Sequence, residues 1–338
     1  MKAIQIAEPG NVKIIEKNIP APETGEILLK IKYVGFCGSD LSTYMGKNPM
    51  VQYPRIPGHE ISATIYELSP EVPGPFKKGQ KVTVIPYTHC GKCASCKKGQ
   101  YNACQFNQTM GVQRDGAMCE YISVPWQKVL SAENLNEKQL ALVEPLTVGF
   151  HAAARANVTD TDTVMVLGCG MIGSGAVIGS KLMGATVIAV DIDNQKLTKA
   201  RKLGADFSIN SADENLSSKL SEITNHEGPG IVIEAAGNPV TYRTAIEEVA
   251  YCGRMVCIGY AKEEVSFATK LFVLKEINIM GSRNATISDF EAVIRFMEGN
   301  ILPVDNIITK IIKPEKVPEV LKDWSLHPER YFKIMVEF

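Results

Sequence analysis

The sequence has almost no net charge and no long hydrophobic run, and each absence excludes a class of protein. Its 36 Lys and Arg residues face 37 Asp and Glu residues, so the formal net charge is −1. Without a basic excess, the chain lacks the electrostatic signature of proteins that bind nucleic acid or anionic membranes. No apolar run reaches the roughly 18 residues of a membrane span, and the start of the chain lacks the basic and apolar regions of a signal peptide. We therefore expect a cytoplasmic protein with neither a nucleic acid nor a membrane as its partner.

The cysteines are few but unevenly distributed. Of the nine, four crowd into one short stretch as Cys90, Cys93, Cys96 and Cys104. In a chain without an export signal, this crowding favours a metal site over disulfides. Four thiolates at such spacings suit a tetrahedral ion, and a closed set of four leaves no position for substrate. The stretch predicts a structural zinc ion, with an iron–sulfur cluster or free thiols as alternatives. His89 adjoins a set that is already complete, so we do not expect it to be a ligand.

The remaining cysteines are scattered singly. Cys119, Cys169, Cys252 and Cys257 occur within or beside apolar stretches, where a free cysteine behaves as a small hydrophobic residue. We expect these four in the hydrophobic cores.

The character of the sequence changes near residue 147. Before it, strand-like runs such as 26–34, 61–68 and 81–86 are separated by Pro and Gly, which predicts a largely antiparallel β-rich domain. After it, strand-like runs alternate with helix-length segments, which predicts a doubly wound, parallel six-stranded sheet of the Rossmann type. These runs are 163–167, 186–190, 206–209, 231–235, 254–259 and 276–281.

The end of the chain departs from this alternation. Helices are expected at 287–297 and near 315–324, followed by a last strand at 332–338. This tail is expected to return to the first domain. The domains are therefore predicted as 1–146 with 284–338, and 147–283.

The stretch from Thr163 to Asp191 predicts a dinucleotide site. A strand-length apolar run leads into Gly168-x-Gly170-x-x-Gly173, and a helix-length segment follows. In such a unit the first glycine makes the turn, the second admits the pyrophosphate and the third allows the helix to pack on the strand. Met171 and Ile172 open the helix, whose N-terminus attracts phosphate. Asp191 ends the second strand, where its carboxylate would accept ribose hydroxyls and repel a 2′-phosphate, which favours NAD over NADP.

Three further segments carry residues of the types that bind metals. They are Cys37 in Gly35-Phe36-Cys37-Gly38-Ser39-Asp40, His59-Glu60 after Pro57-Gly58, and Glu144 before Pro145. Taken singly, each has an ordinary structural explanation, because a lone cysteine packs in cores and a lone histidine is usually hydrogen-bonded. Spacing alone does not join them into one site.

The motifs VGFCGSD, PRIPGHE and VEPLTVGFHA, with the four-cysteine loop and the glycine turn in this order, resemble the zinc-dependent medium-chain dehydrogenase family. Within it, the chain is similar to the branch of sorbitol, threonine and sugar-acid 5-dehydrogenases. The resemblance covers essentially the whole chain. It implies a GroES-like β-rich catalytic domain beside the Rossmann domain, two zinc ions per subunit, and a homodimer or homotetramer.

The resemblance also implies roles for individual residues. Cys37 and His59 would bind a catalytic zinc ion, and either Glu60 or Glu144 would complete the set. Asp40 would orient the histidine from behind, as carboxylates commonly do for metal-bound imidazoles.

Other implied roles concern the proton and the cofactor. Ser39 would take the proton of the alcohol, although the next position of the usual relay, a histidine in many relatives, is Ser42 here. Lys196 would lie near the adenosine ribose, and Gly259 would let the backbone approach the nicotinamide. Arg283 would pair with the mobile glutamate near substrate; the alternative is a solvated loop charge.

These expectations combine into one functional hypothesis with alternatives. The protein would transfer hydride from a secondary alcohol of a polyol or sugar acid, such as L-gulonate, L-galactonate or L-idonate, to NAD. A sorbitol- or xylitol-type polyol dehydrogenase and a threonine dehydrogenase are alternatives within the family. A non-catalytic NAD-binding redox sensor is the alternative from another class. Arg55 or Arg283 is a candidate for meeting a substrate carboxylate.

Overall fold

The structure of the protein is a computed structural model that describes residues 1–299 and 304–338, except for the side chain of Asp305. The chain forms two compact units: unit 1 is Met1–Glu144 with Phe290–Phe338, and unit 2 is Pro145–Asp289. The first boundary, after Glu144, lies two residues before the expected one, and the second, before Phe290, lies six residues after its expected position. Residues 300–303 of the expected tail lie outside the described residues.

The strands and the helices of the described residues are each numbered in chain order. The strands are β1 (Lys2–Glu8), β2 (Asn11–Glu16), β3 (Glu26–Gly35), β4 (Glu60–Leu68), β5 (Lys81–Val84), β6 (Tyr121–Pro125), β7 (Val129–Ser131), β8 (Thr163–Leu167), β9 (Thr186–Asp191), β10 (Phe207–Asn210), β11 (Ile231–Glu234), β12 (Arg254–Cys257), β13 (Asn278–Gly281), β14 (Lys310–Ile312) and β15 (Ile334–Glu337). The helices are α1 (Gly38–Tyr44), α2 (Ala94–Lys97), α3 (Glu137–Arg155), α4 (Met171–Leu182), α5 (Asn194–Lys202), α6 (Leu216–Ile223), α7 (Pro239–Glu248), α8 (Lys270–Lys275), α9 (Ile287–Gly299), α10 (Val304–Ile307) and α11 (Val317–Leu326).

Unit 1 is built on a mainly antiparallel sheet in the order β14-β15-β3-β4-β5-β7, with β6 pairing β3. The long strand β3 organises it, because it pairs with β4, β6 and β15. Its apolar residues, among them Leu29 and Ile31, are buried in the core of this unit. The pairing of Val336 with Val34 brings the end of the chain beside the end of β3. The last segment of the chain therefore lies close to the residues that follow β3.

Unit 2, whose residues are all described, contains the expected doubly wound sheet. Its six strands are parallel in the order β10-β9-β8-β11-β12-β13, so the strand order reverses between β8 and β11. Successive residues of β8 supply two cores: Val164 and Val166 pack on one face, Met165 and Leu167 on the other. Strands buried on both faces read as continuous apolar runs, which is why these strands could be found in the sequence.

One core prediction is wrong. Cys252 is exposed in the turn before β12, with φ of 57°. Cys119 and Cys169 are buried as expected, and Cys257 is half-buried. No helix in the described part of the chain is long and apolar enough to cross a membrane.

Candidate functional site

Unit 1 brings together three of the expected metal ligands. The Sγ atom of Cys37, a ring nitrogen of His59 and a carboxylate oxygen of Glu60 all lie within 4.8 Å of one another. Cys37 follows β3 and immediately precedes α1, whereas His59 immediately precedes β4. Because Gly35 at the end of β3 is paired with Glu60 at the start of β4, segments distant in sequence meet at this point. His59 and Glu60 are buried.

Asp40 ties the two ligand-bearing segments together through their backbones. Its carboxylate accepts hydrogen bonds from the Cys37 N–H at 2.9 Å and from the Gly58 N–H at 3.3 Å. His59 Nδ1 is buried without a hydrogen-bond partner, so no hydrogen bond joins this nitrogen to Asp40. Asp40 is fully buried, and this burial raises the pKa of its carboxyl. It thus positions the segments that carry Cys37 and His59.

The cation that pairs with Glu60 is Lys333, not the expected Arg283. Lys333 Nζ lies 2.6 and 2.7 Å from the two carboxylate oxygens of Glu60, and it donates a further bond to the Phe36 carbonyl at 3.2 Å. The side chains of Lys333 and Glu60 are 3% and 1% exposed. Arg283 is exposed and belongs to unit 2. Lys333 precedes β15, so the pairing of β15 with β3 delivers it to the site.

Gly35 provides the space that the Glu60 carboxylate occupies. A Cβ atom at this position would lie 1.9 Å from Glu60 Oε2, far inside van der Waals contact. A side chain at position 35 would therefore displace the carboxylate from Lys333. The glycine of the VGFCGSD motif has a steric role here, which its sequence context did not reveal.

Glu144 lies in α3 and is buried near the same group. Its Oε1 atom accepts a hydrogen bond from the hydroxyl of Tyr87, a residue that we did not single out in the sequence. Burial raises the pKa of Tyr87 well above its usual value, and the charge of Glu144 adds to the rise. Burial likewise raises the pKa of Glu60 to about 7, with Lys333 opposing the rise and Glu144 adding to it. Two carboxylates share a buried site that contains one lysine.

The donor set fits a zinc ion. Zinc accepts thiolate, imidazole and carboxylate ligands, and all three types converge here within reach of one ion. Burial opposes the charged form of His59, yet its interaction with Cys37 and then the charge of Asp40 raise its pKa well above the usual value. The anionic groups near His59 would also stabilise a bound cation. The Ser39 hydroxyl, two residues after Cys37, is buried without a hydrogen-bond partner.

Breaking the Lys333–Glu60 pair is expected to destabilise unit 1. In Lys333→Met, the Glu60 carboxylate stays buried without its partner, and such a change typically costs about 3–5 kcal/mol. The free energy of unfolding, measured with denaturant on metal-free protein, should fall by this amount. The double variant Glu60→Gln/Lys333→Met removes both charges and should recover much of the loss. A Lys333→Met protein as stable as the wild type would show that the pair contributes little.

The four-cysteine set is also assembled in unit 1. The sulfurs of Cys90, Cys93, Cys96 and Cys104 all lie within 4.8 Å of one another, and none forms a disulfide. The Cys93 sulfur lies 3.4 Å from that of Cys96 and 3.8 Å from that of Cys104. Zn–S bonds of about 2.3 Å give sulfur–sulfur edges of about 3.8 Å in a tetrahedron. The geometry fits a single zinc ion enclosed by four sulfurs.

The surroundings of Cys90 and Cys93 favour their thiolates, whereas those of Cys96 do not. Hydrogen bonding from Ser95 and from backbone N–H groups lowers the pKa of Cys93 to about 5. The N–H groups of Cys90 and Phe106 both donate to the Cys104 sulfur at 3.3 Å. Burial raises the pKa of Cys96 to about 11, so this member needs a metal ion in order to ionise at neutral pH.

In unit 2 the glycine turn has the geometry of a phosphate-binding site. Gly168 has φ of 90°, in the left-handed region that favours glycine. A Cβ atom on Gly173 would lie 1.8 Å from the Gly168 carbonyl oxygen, so the helix packs directly on the turn. A Cβ atom on Gly170 would meet no atom within 4 Å, which leaves open space beside the turn. Met171 and Ile172 open α4, whose first N–H groups are available to an anion.

Asp191 lies at the end of β9, facing this turn. Its Oδ2 atom accepts a hydrogen bond from the Cys169 N–H at 2.7 Å, and its Oδ1 atom accepts from the Ile192 N–H at 2.8 Å. Lys196 Nζ lies 4.0 Å from Oδ1, so the lysine and the carboxylate are adjacent. Gly259 follows β12, and a Cβ atom there would lie 2.4 Å from the Gly237 nitrogen. Unit 2 thus gathers the expected cofactor residues at the carboxyl edge of its sheet.

Two residues at the candidate metal site could not be found by sequence pattern. Tyr87 stands three residues before Cys90 without a motif of its own, and Lys333 lies between Phe332 and the apolar start of β15. The one signal in the sequence is a lysine directly before the apolar residues Ile334 to Val336.

Comparisons with known proteins agree with this architecture. Residues 23–134 match the alcohol dehydrogenase GroES-like domain, and residues 172–299 match the zinc-binding dehydrogenase domain. Sorbitol dehydrogenase of Bacillus subtilis (strain 168) is 32% identical over 99% of this chain and 97% of that protein. L-galactonate-5-dehydrogenase of Escherichia coli (strain K12) is 34% identical over 91% of each. The solved structure of a short chain alcohol dehydrogenase (RspB) of E. coli CFT073 complexed with NADH has a TM-score of 0.92 and 30% identity, covering 100% of this chain and 99% of that one.

The likeness extends from the sequence motifs to the domains and to nearly full-length relatives. Both matched domains occur in the order of the two sequence patterns from which we expected them. Relatives at 30% identity or more span this chain almost completely. With thiol, imidazole and carboxylate donors gathered in one matched domain and the glycine turn in the other unit, the chain belongs to the zinc-type medium-chain alcohol dehydrogenase family.

Proposed function

We propose that the protein oxidises a secondary alcohol of a polyol or sugar acid to the ketone, with NAD as the hydride acceptor. The observation that carries this proposal is the buried convergence of Cys37, His59 and Glu60, with the unpartnered Ser39 hydroxyl nearby in sequence. A structural metal site, in which four protein ligands surround the ion, has no position for substrate and therefore no use for a hydroxyl that accepts a substrate proton. The named relatives support the substrate class, because one is a sorbitol dehydrogenase and another an L-galactonate-5-dehydrogenase.

Unit 1 would supply the groups that handle the alcohol. A zinc ion held by Cys37, His59 and a carboxylate from Glu60 or Glu144 would supply the positive charge that makes a substrate hydroxyl more acidic. The Ser39 hydroxyl would accept the proton of the alcohol and pass it towards solvent. Lys333 would hold the Glu60 carboxylate, and Asp40 would keep the Cys37 and His59 segments in register.

Unit 2 would bind NAD. The N–H groups at the start of α4 and the space beside Gly170 would hold the pyrophosphate. Asp191 would accept the ribose hydroxyls, with Lys196 beside it. The carbinol hydrogen would leave as hydride for the nicotinamide ring, while the hydroxyl proton leaves through Ser39, so the alcohol loses two electrons and two hydrogens.

Asp191→Ala is expected to shift the cofactor preference towards NADP. The variant loses the acceptor of the ribose hydroxyls and the charge that repels a 2′-phosphate. We expect the ratio of kcat/KM for NAD to that for NADP to fall by about tenfold or more, corresponding to one lost charge-assisted hydrogen bond. Asp193→Ala is the control, because Asp193 accepts from the Gln195 N–H at the start of α5. An unchanged ratio in Asp191→Ala would contradict the assignment.

We also propose that the protein is a homo-oligomer that uses the β13 edge of the unit 2 sheet. In the described residues β13 pairs only with β12, and an open edge presents free N–H and C=O groups. On the nearby α8, Val273 is 83% and Leu274 63% exposed. Leu274→Asp should shift the mass in light scattering towards that of a monomer. The matched control is Leu326→Asp, at an exposed leucine of unit 1; equal behaviour of both variants would contradict this interface.

The first experiment measures NADH formation by zinc-loaded protein with a panel of polyols, aldonates and L-threonine, with NAD and NADP in parallel. Turnover on one substrate class with NAD supports the proposal and identifies the branch. Binding of NAD without turnover on any alcohol would favour the redox sensor. Failure to bind NAD at all would contradict the assignment of the glycine turn.

A further inference from the structure

Three basic residues lie on three neighbouring segments of unit 1, outside the candidate metal site. The segments are held side by side by backbone hydrogen bonds, from Ile85 N to the Lys128 carbonyl at 2.8 Å and from Met110 N to the Pro86 carbonyl at 3.0 Å. Arg114 forms a bridge with Met110, and thus belongs to the same arrangement. These contacts bring together the backbone segments that carry His89, Lys128 and Arg114. We call these three residues the basic cluster.

Within the basic cluster, Lys128 and His89 are in contact, and the charge of Arg114 acts on Lys128. Lys128 Nζ lies 3.5 Å from His89 Nδ1. Arg114 Nε is buried without a hydrogen-bond partner. Among the described residues, neither Arg114 nor Lys128 has a carboxylate within the 4.0 Å of an ion pair. The cluster therefore holds cationic groups without the local anion that usually accompanies partly buried charges.

The acids in the neighbourhood are already engaged. Asp115, next to Arg114 in sequence, pairs with Arg55 at 3.1 Å and with Lys17 at 3.7 Å. Glu26 lies near enough to raise the pKa of Arg114, but its carboxylate accepts a hydrogen bond from the Ser123 hydroxyl at 2.7 Å. The available carboxylates thus stabilise other parts of the unit.

The electrostatics of the cluster agree with this geometry. Burial lowers the pKa of Arg114 and of Lys128, and the charge of Arg114 lowers that of Lys128 further. Like charges held together in a partly desolvated place repel one another, whereas an anion bound among them would stabilise all of their charged forms.

We propose that His89, Lys128 and Arg114 form a binding site for a small oxyanion, a phosphate or carboxylate group. The planar guanidinium of Arg114 can donate two parallel hydrogen bonds to such a group, and Lys128 can add a third. His89 is exposed, so the site is open to solvent. The imidazole packs against the Tyr101 ring at a tilt of 37°, with ring centroids 4.6 Å apart.

The oxyanion has two possible sources. One is the charged end of a sugar-acid substrate, an assignment that rests on the proposed function; the other is a free anion. Tyr87, whose hydroxyl reaches Glu144, stands two residues before His89. Extended chain rises about 3.3 Å per residue, so the two backbone positions are roughly 7 Å apart. The oxyanion site is therefore connected to the candidate metal site by the short segment from Tyr87 to His89.

The test measures binding of inorganic phosphate to the zinc-loaded protein by isothermal titration calorimetry, at constant ionic strength set with chloride. We expect Arg114→Gln and Lys128→Gln each to raise the Kd about tenfold or more, the loss expected for one charge-assisted hydrogen bond. Arg114→Lys keeps the charge and should lose less. Lys98→Gln, at an exposed lysine of the cysteine loop, is the matched control and should bind like the wild type. Circular dichroism checks that each variant is folded.

Steady-state kinetics separates the two sources. If the site holds the substrate, phosphate competes with an aldonate, and Arg114→Gln raises KM for the aldonate while leaving KM for a neutral polyol unchanged. If the site holds a free anion, phosphate binds without such competition. The proposal is overturned if phosphate shows no saturable binding to the folded wild type, or if the two Gln variants bind it as tightly. Turnover of a neutral polyol, measured in the same preparations, reports on the proposed function separately.

Discussion

Cys37→Ser is expected to lower kcat by about 10³-fold or more while leaving the affinity for NAD close to that of the wild type. A bound metal supplies several kcal/mol of charge stabilisation in such reactions, and each 1.36 kcal/mol corresponds to a factor of ten in rate. A serine hydroxyl is a much weaker zinc ligand than a thiolate, so this stabilisation is lost. NAD affinity should persist because the expected cofactor residues belong to unit 2, whereas Cys37 belongs to unit 1.

Three measurements check this expectation together. Zinc content by atomic emission should fall from two ions per chain to one, NADH formation should be lost, and NADH fluorescence should still titrate. Cys252→Ser is the control, since Cys252 is an exposed cysteine outside both metal sets. A Cys37→Ser protein with wild-type turnover would remove the catalytic zinc from the proposed mechanism.

Cys104→Ser is expected to remove the other zinc ion and to destabilise unit 1 strongly. Cys104 is fully buried, and the only buried residues that cluster with it are Cys93 and Cys96, so the loop has almost no apolar core within its described neighbourhood. Structural zinc contributes about 10–16 kcal/mol of apparent binding free energy in small zinc-binding peptides. In a domain of this size, each kcal/mol of lost stability lowers Tm by about 2–4 °C. Losing even part of the zinc-binding free energy should therefore lower Tm by roughly 10 °C or more.

Calorimetry and metal analysis should therefore change together. The zinc content of Cys104→Ser should fall to one ion per chain, and prolonged treatment of the wild type with a chelator should reproduce the lower Tm. Cys119→Ser serves as a control for replacing a buried cysteine of the same unit that lies outside both metal sets. If Cys104→Ser retained two zinc ions and its Tm, the four sulfurs would not be a metal site.

The sequence was most informative where structure is determined locally. The runs that became β8, β9 and β11 are continuous and apolar because both faces of each strand are buried, and short glycine turns separate them from helices. Likewise, the short spacings from Cys90 to Cys104 place four sulfurs together whatever the rest of the chain does. These features could be read from a few neighbouring residues, and the expected six-stranded sheet was confirmed.

The sequence was least informative where contact depends on distant strand pairing. Lys333 meets Glu60 only because β15 pairs with β3 in a particular register, and no local pattern encodes that register. The resemblance to the dehydrogenase family implies Arg283 as the partner of the glutamate, whereas Lys333 pairs with Glu60 in the structure. The Asp40 carboxylate accepts from the Cys37 N–H three residues away and from the Gly58 N–H 18 residues away, and only the first of these contacts is local.

The pairing of Glu60 with Lys333 also sets an order of events during biosynthesis. The two residues are 273 positions apart, and all of unit 2 lies between them. At about 5–20 residues per second, Glu60 leaves the ribosome roughly 14–55 s before its partner is made. Unit 2 is contiguous and can fold in that interval, whereas the candidate metal site cannot take its final form until β15 has joined β3. A nascent chain therefore carries Cys37 and His59 for most of its synthesis without the lysine that neutralises the carboxylate beside them.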